Sequence, residues 1–343
     1  MMMKKFLVQL LLFSALTLFL PIAAAALCGG APQTSAFTTF LSQQESTTGQ
    51  SAQTQDDAQE VVLPILNSAT GEVEQVPLRE FLIGAAASEM PASYQDEAIK
   101  AQIIAAHSYA LANRDAQQAN PDPDLNGAWF AANPDGHEGY IRPDELKAVW
   151  GDQYQEYYDR LAALVDEVGG LVVTYEGNPA LTTYYALCNG TTETSEAVWG
   201  QALPYLVSVD SALDLTSPDC EQTLTLSMQD VYDKLNLAFY TLDLSGTPDT
   251  WFGQTERDAA GYVSTVQIGG QTIKGTELRE ALGLRSADFT VTVGEDNAFT
   301  FTTRGFGHGV GLSQYGANAL AITGKRYDEI LSHYYPGTTL AEI

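Results

Sequence analysis

Residues 304–317 read Arg304-Gly305-Phe306-Gly307-His308-Gly309-Val310-Gly311-Leu312-Ser313-Gln314-Tyr315-Gly316-Ala317. Glycine takes every second position from 305 to 311. In an extended chain this spacing clears one face and leaves Arg304, Phe306, His308, Val310 and Leu312 on the other. A bare face admits a ligand, or another stretch of backbone, at close range. Phosphate loops are excluded, because neither the Gly-Lys-Ser/Thr ending nor the dinucleotide spacing is present. Residues 298–304 before the glycines are β-branched or aromatic and predict a strand. After them Ser313 suits a helix cap, and the helix it opens stops at Gly324.

Working outward, strands are expected at 170–175, 181–187 and 262–268, each bounded by turn residues. A helix is expected at 78–90, where Pro91 disfavours helical geometry at Met90. Ser93 and Asp96 form a capping-box pattern that opens a second helix to about Arg114. Ile99, Ile103, Ala106 and Ala110 give it an apolar stripe. Alanines at 98, 101, 105 and 112 allow close approach of another element. Residues 113–152 read as a long loop rich in Asp, Pro, Asn and Gly, with a short helix at 143–150. A further helix covers 153–168, and a short one follows from Tyr327. Helices and strands intersperse without strict alternation. The expected fold is therefore α+β, with antiparallel or mixed sheets around a substrate cleft.

The chain has 343 residues, with 43 Asp+Glu against 16 Lys+Arg and a formal charge of -27. So acidic a surface repels nucleic acid and anionic lipid headgroups, and favours a neutral or weakly charged polymer as partner. Lys4 and Lys5 precede an apolar run over 6–27 that ends in small residues, Ala23 to Ala26. This is an export segment over 1–28, either cleaved as a signal peptide or kept as an N-terminal membrane anchor. Its flank places the rest on the extracytoplasmic face of the membrane, anchored or secreted. Cys28 suggests lipidation, but Leu27 stands where such a site takes a small residue. Residues 29–60 read as a flexible tether and 61–343 as the folded domain, with 113–152 as a variable insertion. Cys188 and Cys220 remain as a disulfide or as two buried thiols.

Glu89 lies in Ala87-Ser88-Glu89-Met90-Pro91, in the last turn of the first expected helix. There the negative end of the helix dipole, and any burial, disfavour the ionised carboxylate. A carboxyl group held protonated near neutral pH is what a general acid for glycoside cleavage requires.

The glycine segment, the block around Glu89, and Glu97-Ala98-Ile99-Lys100-Ala101-Gln102 together resemble the SpoIID/LytB family. Val198-Trp199-Gly200, Leu203-Pro204-Tyr205-Leu206, Gly283-Leu284-Arg285-Ser286 and His333-Tyr334-Tyr335 extend the likeness in order from about 78 to the C-terminus. The resemblance implies a lytic transglycosylase acting on peptidoglycan glycan strands stripped of stem peptides. Glu89 would then serve both proton transfers. It implies that Tyr205 and Asp214 bind substrate or orient Glu89, and that Arg304, His308 and Tyr315 line the cleft. It also implies a setting in engulfment or wall remodelling, with a cell-wall amidase and a membrane partner of an engulfment complex.

Two positions depart from the family pattern. His107-Ser108-Tyr109 stands where the family carries Arg-Thr-Tyr, and Val207 replaces a lysine. His107 would orient the acid or bind sugar only in part, and the plainer reading is a half-buried helix histidine. These changes bear on a second reading, a glycan-binding module or amidase stimulator that does not cut. No cofactor is expected. Some relatives hold zinc near the position of Cys188, but Tyr185 occupies the place of a histidine ligand here. Asp122, Asp124, Asn126 and Gly127 echo a calcium loop. Asn133 stands where the bidentate glutamate belongs, so the stretch reads as an acidic surface loop.

Overall fold

The structure, a computed structural model, describes residues 61–343. The export segment expected over 1–28 and the tether expected over 29–60 lie outside the described residues. Among the described residues no helix is long and apolar enough to cross a membrane. The architecture is α+β, divided into one unit of residues 61–183 with 321–343 and a second of 184–320.

In the first unit β1 (Val62–Asn67) pairs antiparallel with β2 (Val73–Pro77) and parallel with β3 (Phe130–Ala132). Leu63 and Ile65, two apart on β1, are both buried, as one face of a strand should be. The helices α1 (Leu78–Glu89), α2 (Asp96–Ala119), α3 (Pro143–Trp150) and α4 (Tyr154–Val168) follow. Beyond them β4 (Leu171–Tyr175) lies between β5 (Asn178–Pro179) and the last strand, β14 (Thr339–Glu342), antiparallel to both.

The stripe expected on α2 is buried, and so are Ala98, Ala101, Ala105 and Ala112. Every residue from 98 to 108 is buried, so α2 is the central helix of this unit rather than a surface one. Lys100 is tolerated inside because Glu97 and Glu167 accept its ammonium at 3.0 and 2.6 Å. Two expectations about α2 are corrected. The Ser93–Asp96 capping box does not form, because Tyr94 N–H bonds Pro91 O at 2.9 Å in a preceding turn and Gln95 becomes the N-cap. The helix also runs on to Ala119, since Ala116 and Gln117 still find buried surface.

The stretch 113–152 is correspondingly less irregular than its composition suggests. It contains the end of α2, the strand β3 and the expected short helix α3. Gly84 lets it lie directly on α1. A Cβ at Gly84 would sit 2.3 Å from Ile141 O, whose N–H bonds Gly84 O at 3.1 Å.

The second unit holds two three-stranded antiparallel sheets. One places β12 (Phe299–Arg304) between β11 (Phe289–Val293) and β7 (Glu221–Leu226). The other places β9 (Val263–Ile268) between β8 (Phe252–Arg257) and β10 (Gln271–Lys274). Phe299 and Phe301 alternate inward on β12 and are fully buried, with Trp251 stacked on Phe299 at 5.4 Å. The helices α6 (Met228–Ala238) and α7 (Gly275–Leu282) bring Val231, Leu235, Leu278 and Leu282 to the same core.

The strand expected at 181–187 shrinks to β6 (Tyr184–Tyr185), which pairs in parallel with β13 (Leu312–Ser313). Side chains take over part of its bonding, as when Thr182 Oγ1 donates to Ala105 O at 2.7 Å. The short α5 (Ser195–Trp199) and α8 (Gln314–Ile322) complete the helices used below.

Candidate functional site

Glu89 is the last residue of α1. Met90 takes extended geometry (φ -126°, ψ 142°) ahead of Pro91, while its N–H still bonds Ala86 O. Glu89 is half-buried between buried Ser88 and Met90, and the last turn carries no basic residue.

His107 lies one helix further on and is 2% exposed. Burial pulls its pKa down to about 4, against hydrogen bonding to the backbone of Leu171 and Gly169, and its Nδ1 has no partner. The ring is therefore a neutral buried group that ties α2 to the start of β4, more deeply placed than a half-buried helix histidine.

The other sequence-selected residues belong to the second unit. The glycine segment there is not the extended ribbon that its spacing suggested. Gly305, Gly307, Gly309 and Gly311 all hold positive φ, at 87°, 119°, 83° and 85°. An extended strand is thereby excluded, and the chain turns at every second residue. What approaches the bare positions is protein. A Cβ at Gly307 would stand 2.6 Å from Tyr185 Cβ, and one at Gly305 would stand 3.0 Å from Leu187 O.

The turns seat His308 between the rings of Trp199 and Tyr185, at 5.1 and 5.4 Å. Its Nδ1 accepts Val310 N–H at 3.1 Å, and the ring also hydrogen-bonds the backbone of Tyr184. Burial, helped by the charge of Arg279, lowers its pKa to about 3. His308 thus offers an aromatic surface rather than a proton.

Asp214 is fully buried. Its Oδ2 accepts from Cys188 Sγ at 2.7 Å, Ser211 Oγ at 2.9 Å and Cys188 N–H at 3.3 Å. Its Oδ1 accepts from Ser313 Oγ at 2.8 Å. Ser313 Oγ in turn accepts Gly316 N–H at 3.2 Å, so the serine caps α8 as its sequence position predicted. Tyr205 is also fully buried. Tyr315 is half-buried on α8, with its hydroxyl 3.4 Å from Thr216 Oγ1. Arg304 ends β12 exposed and pairs with Glu221 at 3.0 Å. It borders a surface depression of about 500 Å³ with Asn189, Arg257, Asp288 and Thr302.

Cys188 and Cys220 are both buried free thiols, and burial beside Asp214 pushes the Cys188 thiol up. Among the described residues no cluster of three or more His, Cys, Asp or Glu side chains is placed to hold a metal. Asp122 caps a short 3-10 turn by accepting Asp124 N–H at 2.9 Å.

One residue had no sequence signal at all. Glu193 is 4% exposed, and its N–H bonds Gly309 O at 2.7 Å, directly on the glycine segment. Burial, and the Asp258 carboxylate nearby, raise its pKa.

Residues 67–175 match the model of a family described as stage II sporulation protein, SpoIID. The chain is 38% identical to stage II sporulation protein D of Bacillus subtilis over 83% of its own length and 80% of that protein. The chain belongs to the SpoIID family. Stage II sporulation protein D of Bacillus amyloliquefaciens is 37% identical, over 82% of this chain and 79% of that protein. A Bacillus subtilis protein named amidase enhancer is 28% identical over 76% of this chain and 40% of that protein. The SpoIID model spans Glu89 and His107, whereas Tyr205, Asp214, Arg304, His308 and Tyr315 lie beyond it.

Proposed function

We propose that this SpoIID-family protein is a peptidoglycan lytic transglycosylase that uses Glu89 as its single acid and base. The observation that carries this reading is the placement of Glu89. It is half-buried, at the C-terminal end of α1 with no basic residue in that turn, inside the stretch that the family model matches. The C-terminal end of a helix is a place where a carboxyl group can serve as a general acid.

In the reaction, the Glu89 carboxyl gives its proton to the glycosidic oxygen between N-acetylmuramic acid and N-acetylglucosamine. The C1–O bond breaks as the muramic acid C6 hydroxyl attacks C1. That hydroxyl's proton returns to Glu89, which closes a 1,6-anhydro ring and restores the acid. No water is consumed, so the pair of carboxylates needed by most hydrolases is not required. Tyr205, Asp214, Arg304, His308 and Tyr315 are read as holding glycan on the second unit or shaping the surface that does.

The sporulation and amidase-enhancer names of the relatives support a role in sporulation at the cell wall, and this reading sets the activity there. An extracytoplasmic enzyme, anchored or secreted, would act there on strands already stripped by an amidase, with a membrane partner. A second reading is favoured by the likeness to the amidase enhancer and by buried, neutral His107. It is a module that binds glycan and stimulates an amidase without cutting.

The test is to incubate purified full-length protein, and Glu89→Gln beside it, with amidase-treated glycan strands and to read products by mass spectrometry. Products ending in 1,6-anhydro-muramic acid, absent with Glu89→Gln, support the enzyme. Intact strands with both proteins, and binding retained, support the stimulating module.

A further inference from the structure

Two arginines of the second unit stand apart from all the others. The chain carries -27 charges, so carboxylates are abundant. Each of the other arginines among the described residues has one within 3.3 Å. Arg279 and Arg285 have none at that range. They are also adjacent and half-buried. Arg279, on the last turn of α7, donates from Nε to Arg285 O at 3.2 Å. The Arg285 guanidinium lies 4.3 Å from the centre of the Phe306 ring, and its Nη1 reaches Asp219 O at 3.4 Å. Arg285 Nε is buried and has no partner. Glu280 beside Arg279 and Asp219 near Arg285 act on these charges only through space.

Desolvation of both guanidinium groups works against their charge and lowers both pKa values. In a fold rich in carboxylates, two arginines in contact through a backbone carbonyl and without a carboxylate partner leave guanidinium donors that an external anion could use. The glycine segment fixes them. Gly307 N–H bonds Arg285 O at 2.9 Å, and Phe306 supplies the ring under the guanidinium. His308, with Trp199 and Tyr185 about it, follows two residues later.

We propose that Arg279 and Arg285 form a carboxylate receptor for the free lactyl group of muramic acid. This rests on the glycan-cleaving reading above and deepens it. While a stem peptide is attached, that lactyl carboxyl is an amide and carries no charge. Removal of the peptide leaves a carboxylate on every second sugar. A strongly acidic protein repels such a strand everywhere except where cations are concentrated. A guanidinium fork distinguishes the acid from the amide by charge and by geometry together. The receptor therefore sets the preference for stripped strands.

The test compares two forms of one ligand on the full-length protein, namely amidase-treated strands and the same strands with their lactyl carboxyls methyl-esterified. The free acid is expected to bind at least roughly tenfold more tightly, as charge-assisted hydrogen bonds imply. The double variant Arg279→Gln/Arg285→Gln should lose that preference and keep the wild-type affinity for the ester. Arg279→Lys/Arg285→Lys should keep part of it. Equal wild-type affinity for acid and ester overturns the receptor while the glycan reading stands. So does an equal loss of both affinities in the variants, which marks a purely structural pair. If the wild-type protein binds and cuts neither form, the glycan reading falls and the receptor with it.

Discussion

Ser313 Oγ donates to Asp214 Oδ1 at 2.8 Å across 99 residues of chain. The same oxygen accepts the N–H of Gly316, so one hydroxyl caps α8 and anchors a fully buried carboxylate. With the Cys188 thiol and Ser211 as further donors, Asp214 is a structural hub beneath the glycine segment. It can act on a substrate only through the groups it holds.

Asp214→Ala should accordingly act on stability first. It leaves the Ser313 and Ser211 hydroxyls and the Cys188 donors buried without their acceptor. Stranded donors of this kind cost roughly 1–3 kcal/mol each when water does not replace the partner, so a loss of about 3–5 kcal/mol is expected. Urea unfolding of the variant beside the wild type measures it. A loss of binding with an unchanged unfolding midpoint would place Asp214 in direct contact with glycan instead.

His107 makes stability depend on pH in a defined window. Its folded pKa is about 4 against an ordinary histidine value of 6.5. Between these values the unfolded chain binds a proton that the folded chain refuses. The stabilisation is therefore complete above pH 6.5 and is lost as pH falls toward 4. Lowering the pH from 7 to 5 should remove about 2 kcal/mol through His107, with buried His308 adding a loss of the same sign. His107→Gln should therefore reduce the pH dependence by about that amount in paired urea titrations at the two pH values, and a variant as pH-sensitive as the wild type would refute it.

Much of the first unit was legible because its signals are local. Pro91 ends α1 at Glu89 whatever surrounds it, and the apolar stripe of α2 appears at the predicted spacing. The Ser93 capping box failed because a competing turn at 91–94 used the same residues, and only the three-dimensional path decides between them. The glycine segment failed differently. Spacing records which positions lack a side chain but not the sign of φ, and the four positive values turn an apparent ribbon into a run of bends. Cys188 and Ser313 beside Asp214, and Asp258 near Glu193, are distant in sequence, so neither burial had a local signature. The isolation of Arg279 and Arg285 becomes visible only once the partners of every other arginine are known.

Gly307→Ala tests that backbone directly. The new methyl group would meet Tyr185 Cβ at 2.6 Å in a conformation (φ 119°) that disfavours any side chain. Gly177→Ala is the control, with positive φ (83°) and nothing within 4 Å. The control should lose about 1 kcal/mol and Gly307→Ala at least about 2 kcal/mol more. Thermal or urea unfolding of the pair decides it. Equal losses would mean that the segment moves aside without cost.

Arg142 holds residues 135–145 against the first sheet. Its guanidinium meets Glu74 at 2.6 Å, Asp135 at 2.7 Å and Glu145 at 3.1 Å, while Tyr140 donates to the other oxygen of Glu74 at 2.6 Å. Glu74 belongs to β2 and the rest to 135–145, so one cation fastens this stretch to a strand far earlier in the chain. Carboxylates gathered around one arginine repel each other once it is removed, which makes this network worth more than an isolated surface pair. Arg142→Ala should therefore expose 133–142 to limited proteolysis, with cleavage there several-fold faster than in the wild type. The cooperative unfolding of the remainder should change little, because the core of α2 does not depend on this contact. Arg142→Lys should restore only part of the protection, since an ammonium cannot span three carboxylates as a guanidinium fork does. Cleavage at 133–142 that is no faster in Arg142→Ala would show that the packing of Ile141 on Gly84 is sufficient to hold this stretch.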